Sequence, residues 1–347
     1  MTKTINYNLP IKLITQKDLI SANCLNVSEL LSVVENAFKS YAAGDVIFPE
    51  KMSVIFDSVS QNRINSLPAG IKSQNVFGVK WVSVFPENPQ KNNVPNLSAV
   101  ILLSSLSTGY PFAIMEGSFC SNLRTALVGS LAAKYFAKVD STKIGFIGAG
   151  ELAKTHFLVM KELFPKINTC KVSSRTTNSE KKFVSQLSRK YPDVKFIACN
   201  SDYEQAVSDA DIIVTAISGQ EKILQPSWIK KGAFYCHVAG LEDDFGVALK
   251  ADKIVCDNWD MVKHRTQTIS QMYKLNLLSD NDIYADLDEI ILKKKKGREN
   301  DSEFIYFNSV GLSFIDIALA NWMYKCVLDK GLYTDFSFKS NSMFDII

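Results

Sequence analysis

Apolar residues in the first third of the chain fall in short runs with turn-rich spacers between them. IKLIT (11–15), KMSVIF (51–56), FGVKWVSVF (77–85) and SAVILLSS (98–105) are separated by pieces such as PENPQKNNVP and STGYP. Non-alternating runs at hairpin-like spacing predict a mostly antiparallel sheet covered on one face. One helical stretch is expected near 27–43. At residue 121 the period changes. In SNLRTALVGSLAAKYFAK, Leu123, Ala126, Leu127, Leu131 and Tyr135 recur at helical spacing and predict a long helix.

Beyond that helix, strands and helices alternate. KIGFIGA leads to a helix over 151–164, TCKVSS to one over 178–190, and KFIAC to a short one over 202–208. DIIVTAI, a helix over 226–231, GAFYCHVAG and KIVCD follow. Such alternation implies parallel strands with right-handed crossovers, hence a doubly wound sheet. After the strand FIYF, a last helix over 311–330 is placed to return to the first domain. The expected class is α/β. A Rossmann doubly wound parallel sheet (126–312) is inserted in a discontinuous α+β substrate-binding and dimerisation domain (1–125 plus 313–347).

Composition narrows the function. A chain of 347 residues fits two domains of about 100–200 residues each. A net charge of +3 argues against nucleic acid or an anionic membrane as partner, since either favours a strongly basic face. The run Lys293–Lys296 reads as a solvated loop. Seven cysteines, odd in number and without C-x-x-C, read as reduced thiols. His156, His237 and His264 lack ligand spacing, so no metal site is expected. No apolar run reaches 18 residues and no signal-like segment opens the chain, which points to a cytoplasmic protein.

The chemistry concentrates at KIGFIGAGELA (143–153). An apolar strand runs into Gly148 and Gly150, with Ala153 at the third position of G-x-G-x-x-G/A and Glu151 opening a helix. Gly148 permits the turn, Gly150 lets the backbone approach a pyrophosphate, and Ala153 lets helix and strand pack closely. The second strand ends in Ser174, Arg175 and Thr176, where an NAD site would place a carboxylate. Small hydroxyls beside an arginine favour a 2′-phosphate, so the cofactor is NAD(P) with NADP(H) preferred. Ser309 and Gly311 form a small-residue turn suited to close approach of a nicotinamide ring.

Three cations of the first domain and its junction stand beside apolar patterns. Lys80 sits in an apolar strand, Arg124 opens the long helix toward the domain junction, and Lys51 follows Phe48-Pro49. An interior lysine is costly unless paired or functional, and an arginine can grip a carboxylate bidentately.

These pieces, in order, carry a resemblance. GVKW (78–81), TGYP (108–111), MEGSFCSNLRTA (115–126), GAGELA (148–153), GREND (297–301) and FNSVGL (307–312) resemble the ornithine cyclodeaminase/μ-crystallin family. The resemblance runs from about residue 10 to 335. Within the family, KWVSVFPENPQKNNVPNLSAVILL, PFAIMEGSFCSNLRTA and GLSFIDIALANWMY are most similar to dehydrogenases that form 2,3-diaminopropionate for siderophores and peptide antibiotics.

That likeness implies oxidation of N-(2-amino-2-carboxyethyl)-L-glutamate to an imine that water splits into 2-oxoglutarate and L-2,3-diaminopropionate. It implies Lys80 as the active-site lysine, Arg124 as the clamp on a substrate carboxylate and Lys51 as a further substrate contact. Glu242 falls where the family has its catalytic aspartate, with Asp243 and Asp244 as neighbours open to the same role. His237, on the same strand, is open to two readings, a nicotinamide-pocket residue or a core histidine. The alternatives are an ornithine cyclodeaminase or cyclic-imine reductase, and a non-catalytic NADPH-binding protein of the μ-crystallin kind. The expected assembly is a homodimer acting on a small amino acid.

Overall fold

A computed structural model describes residues 9–57 and 61–337. The chain divides into two compact units, Met1–Ser121 with Ser313–Ile347, and Asn122–Leu312. The boundary expected after residue 125 thus lies after Ser121, inside the helix Gly117–Phe136. Strands are numbered through both units.

The first unit contains β1 (Ile11–Ile14), β2 (Val46–Ile47), β3 (Met52–Ile55), β4 (Arg63–Ile71), β5 (Val76–Val84), β6 (Leu97–Ser105) and β7 (Pro111–Glu116). The second contains β8 (Lys143–Ile147), β9 (Thr169–Ser173), β10 (Lys195–Ala198), β11 (Ile212–Thr215), β12 (Phe234–His237), β13 (Lys253–Cys256), β14 (Ala285–Asp286) and β15 (Ile305–Asn308). The chain then returns to the first unit with β16 (Thr334–Phe336).

The first sheet runs β16-β1-β7-β6-β5-β4-β2, with β3 also on β4. The β4–β7 meander is antiparallel, as hairpin spacing predicts. The pair β1–β7 is parallel, an exception no local pattern signals because the two strands are far apart in the chain. Side chains alternate across the pleat. Gly78, Lys80 and Val82 therefore face one side of β5, and Val79, Trp81 and Ser83 the other. Helix Ser313–Asp329 covers the Lys80 side, and helix Val27–Ala42 packs on it through Phe38 and Phe314, ring centroids 5.7 Å apart. The latter helix is capped by Asn26 and buries Val27, Leu30, Val34, Ala37 and Phe38 along one stripe.

The second sheet is parallel throughout, in the order β10-β9-β8-β11-β12-β15-β13-β14. Its central strands β11, β12, β13 and β15 are buried at every residue, the mark of a sheet covered on both faces. The doubly wound α/β class is therefore as expected. The helix expected over 226–231 is a three-residue 3₁₀ turn, Pro226–Trp228. Helices Trp259–Val262, Thr268–Lys274 and Leu287–Ile291 were not expected, since four to seven residues are too few to display a helical period. Among the described residues, no helix is long and apolar enough to cross a membrane.

Candidate active site

In the second unit the residues of interest gather at the carboxyl ends of the parallel strands, the edge where ligands bind in such sheets. Gly148 follows β8 with φ +109°, and a Cβ there would lie 2.8 Å from the Ala216 carbonyl carbon. Only glycine fits that turn. Gly150 has open space where a Cβ would be, and it caps helix Glu151–Leu163 without any side-chain hydrogen bond. The first-turn amides are thus left to an anion, which the helix dipole also favours. Ala153 is fully buried against the sheet, and Glu151 is exposed, paired with Lys154. This cradle fits the pyrophosphate of a dinucleotide.

After β9, the Ser174 hydroxyl donates to the Thr176 carbonyl at 3.0 Å, and the Thr176 hydroxyl meets that of Ser179 at 2.7 Å. Arg175 is exposed beside them. The acid absent from this turn stands behind it. Glu180 is fully buried and accepts the amides of Ser174 (2.8 Å), Asn200 (2.7 Å) and Ser201 (2.9 Å), so its charge braces the loops after β9 and β10.

Glu242 lies in the loop after β12. It is fully buried, with Oε1 accepting from the Ile217 amide (3.0 Å). Its Oε2 accepts from the Thr215 hydroxyl (2.8 Å) and the amides of Val238 (3.2 Å) and Ala239 (3.0 Å). Those four bonds tie the ends of β11 and β12 together. Glu242 thus braces these strand ends, and its raised carboxyl lies in the range that suits a general base. Asp244 caps helix Phe245–Lys250 through the Gly246 amide, and is structural.

Asp243 accepts from the Thr268 hydroxyl at 2.6 Å and the Tyr306 hydroxyl at 3.4 Å. Loss of water pushes Glu242 up to about 7 and Asp243 up to about 8, and the Glu242 charge adds to the rise at Asp243. His237 is a core histidine. It is fully buried, its ring near-parallel to that of Tyr306, and burial lowers its pKa to about 3.

Arg124 sits in the same unit, beside the turn after β15. Gly311 has φ +82°, and a Cβ there would lie 2.8 Å from Cζ of Arg124 and 2.9 Å from its Nη2. Ser309 and Gly311 both bond to Asp257, the residue after β13.

In the first unit, Lys80 is 1% exposed in the middle of β5. Its Nζ donates to Asp316 Oδ1 at 2.8 Å and to Ser121 Oγ at 3.1 Å. Asp316 is fully buried on helix Ser313–Asp329. Lys51 stands directly before β3 and is half-buried. Sequence reasoning missed Asp316, Ser121, Asp257 and Glu180. A lone acid inside the apolar run FIDIALA was the available signal for Asp316.

An open glycine-loop cradle on a doubly wound sheet, in a chain whose other unit buries an ion-paired lysine, defines a nicotinamide-dependent oxidoreductase. The sequence profile of the ornithine cyclodeaminase/mu-crystallin family matches residues 12–331, and the chain belongs to that family. It is 28% identical over 325 residues to the N-((2S)-2-amino-2-carboxyethyl)-L-glutamate dehydrogenase of Staphylococcus aureus, covering 92% of this chain and 96% of that one. It is 29% identical over 330 residues to the alanine dehydrogenase of Archaeoglobus fulgidus, covering 94% and 98%. Among solved structures, the Thermococcus litoralis Delta(1)-pyrroline-2-carboxylate reductase in complex with NADH and L-proline superposes with a TM-score of 0.88 at 30% identity, covering 94% of this chain and all of that one (100% by length). An archaeal alanine dehydrogenase dimer with bound NAD gives a TM-score of 0.85 at 28% identity, covering 95% and 100%.

The buried acid pair makes stability depend on pH. Asp243 keeps its proton in the folded state up to about pH 8, whereas the unfolded chain releases it near pH ~4. Its contribution is therefore full below the unfolded value and lost as pH rises through the folded one. Asp243→Asn, which cannot ionise, should melt increasingly above the wild type between pH 5 and pH 9 in thermal unfolding. A melting difference that stays constant over that range would contradict the assignment.

Proposed function

We propose that this chain oxidises an amino acid at the carbon bearing its nitrogen, and that its substrate is N-(2-amino-2-carboxyethyl)-L-glutamate. The observation that carries the reading is Lys80, a cation removed from water and held in one direction by Asp316 and Ser121. A lysine buried only for stability would be better replaced by an apolar residue. The substrate is supported by the likeness to the Staphylococcus aureus dehydrogenase of that name.

When bound, the nicotinamide supplies the acceptor for the hydride of the substrate's α C–H bond. The amine lone pair forms the C=N bond as that C–H bond breaks. Water then adds to the carbon, and the C–N bond breaks with its electrons and a proton going to nitrogen. The products are 2-oxoglutarate and L-2,3-diaminopropionate. Arg124, with Lys51, holds carboxylates, and Lys80 exchanges the proton at Nζ. Glu242 accepts the amine proton and then activates the water, roles that a carboxyl raised to about 7 suits.

Lys80→Ala should lower kcat by ~10²–10⁴-fold, the usual worth of a positioned proton-transfer group. The readouts are absorbance at the reduced-nicotinamide band with the glutamate-derived substrate and, separately, NADPH binding by fluorescence, which should persist. Near wild-type turnover by the variant would remove Lys80 from the site. Reduction of Δ(1)-pyrroline-2-carboxylate, as the Thermococcus litoralis relative's name describes, would shift the substrate but keep the chemistry. Ammonia release from ornithine without net cofactor change would replace it with cyclodeamination.

The cofactor reading is NADP(H). Arg175 with the hydroxyls of Ser174 and Thr176 supports it, as does the inward turn of Glu180, which leaves no acid to repel a 2′-phosphate. In steady-state kinetics, Arg175→Ala should raise KM for NADP⁺ about tenfold and leave that for NAD⁺ nearly unchanged. Equal effects on both would favour NAD.

A homodimer is proposed through the outer face of the first sheet. Trp81 (55% exposed) and Val100 (47%) are cross-strand partners there, with Met52 and Val54 of β3 beside them. Such a contiguous apolar face calls for a partner, and a second copy supplies the same patch by two-fold symmetry. Trp81→Glu with Val100→Glu should elute as a monomer on size exclusion. A dimer that survives both charges would place the interface elsewhere.

A further inference from the structure

Asp257 lies at the end of β13 and is 1% exposed. Its carboxylate accepts from three consecutive residues of the turn after β15 and from the neighbouring Asn258 amide at 2.9 Å. It accepts the Ser309 hydroxyl at 2.9 Å, the Val310 amide at 2.9 and 3.0 Å, and the Gly311 amide at 2.9 Å. Gln267 clamps the same segment from another side, donating to the Ser309 carbonyl at 2.8 Å while accepting from the Asn308 amide group at 2.9 Å. The turn is therefore held in one conformation, with Gly311 in the left-handed region.

That conformation serves a neighbour. The space a side chain at 311 would occupy is filled by the guanidinium of Arg124, whose Cζ and Nη2 both fall within 3 Å of where the Cβ would be. Arg124 also acts on Asp257 by charge. Burial raises the Asp257 carboxyl above its ordinary range, and the Gly311 and Val310 amides, the Ser309 hydroxyl and the Arg124 charge pull it back. One buried acid thus fixes the seat of the guanidinium and supplies a negative charge near it.

We propose that Asp257 is a positioning residue for Arg124: it holds the Ser309–Gly311 turn on which the guanidinium rests, so that Arg124 meets a substrate carboxylate already oriented. The proposal rests on the reading of Arg124 as the carboxylate clamp. It accounts for glycine at 311 and a buried acid at 257 with one requirement. Pre-orientation removes the ordering cost that a mobile arginine brings to each binding event.

The test is a double-mutant cycle on the full-length enzyme, read by calorimetric binding of 2-oxoglutarate in the presence of NADPH, with NADPH binding and melting temperature measured alongside. Arg124→Lys and Asp257→Asn should each weaken 2-oxoglutarate binding about tenfold or more, and the double variant should lose little beyond Arg124→Lys alone. NADPH affinity should stay within about twofold. Should Asp257→Asn melt too low to assay, Gly311→Ala displaces the guanidinium from the other side and should give the same selective loss. Additive losses, unchanged 2-oxoglutarate binding in Asp257→Asn and Gly311→Ala, or a parallel loss of NADPH binding would overturn the positioning role. Unchanged binding in Arg124→Lys, or no binding by the wild type, would instead overturn the reading of Arg124 beneath it.

Discussion

Lys80 brings an ammonium group into the covered face of an antiparallel sheet, and Asp316 on the helix above meets it at 2.8 Å. Neither side chain has more than 1% of its surface in water. Desolvating two such ions costs more than most single interactions return, so a buried pair is weak evidence of a need for stability. The placement of the pair is what the first unit is built around. The pleat of β5 puts Lys80 inward and Trp81 outward, and the helix returning at Ser313 brings the acid. Breaking the pair from one side would strand a buried charge, at about 3–5 kcal/mol.

The second unit uses buried charge in a different way. Glu180, Glu242 and Asp257 each lie behind the carboxyl edge of the parallel sheet and accept backbone amides from the loops there. Between them they brace the ends of β9 and β10, of β11 and β12, and of β13 and β15. Hydrogen bonds to a charged acceptor are stronger than neutral ones, and here each acid is shared by three or four donors. At the same edge the helix starts after Gly150 and Thr176 carry no side-chain cap. A dinucleotide would find its phosphate amides ready and its surrounding loops already fixed.

How much of this was legible follows from the range of each interaction. The glycine loop, the α/β alternation and the doubly wound sheet are local patterns, readable from strand and helix periods. Lys80 was also readable, because a cation in the apolar run FGVKWVSVF needs a reason. Its partner Asp316 is 236 positions away and shares no local pattern with it. Glu242 matched a family position by alignment of neighbouring residues, but its burial depends on how the loops after β11 and β12 fold back over it. No spacing rule contains that information. The acid missing after Ser174 was read correctly as missing there, while the compensating brace by Glu180 required the helix Thr177–Lys190 to be seen in place.

The central claim is that the Lys80–Asp316 pair exists for chemistry and not for stability. The most direct measurement replaces both at once, Lys80→Met with Asp316→Leu, and records the denaturant unfolding free energy together with kcat. The account predicts a protein as stable as the wild type to within about 1 kcal/mol, or more stable, whose kcat falls by at least ~10²-fold. A double variant that unfolds several kcal/mol more easily, or that retains wild-type turnover, would contradict it.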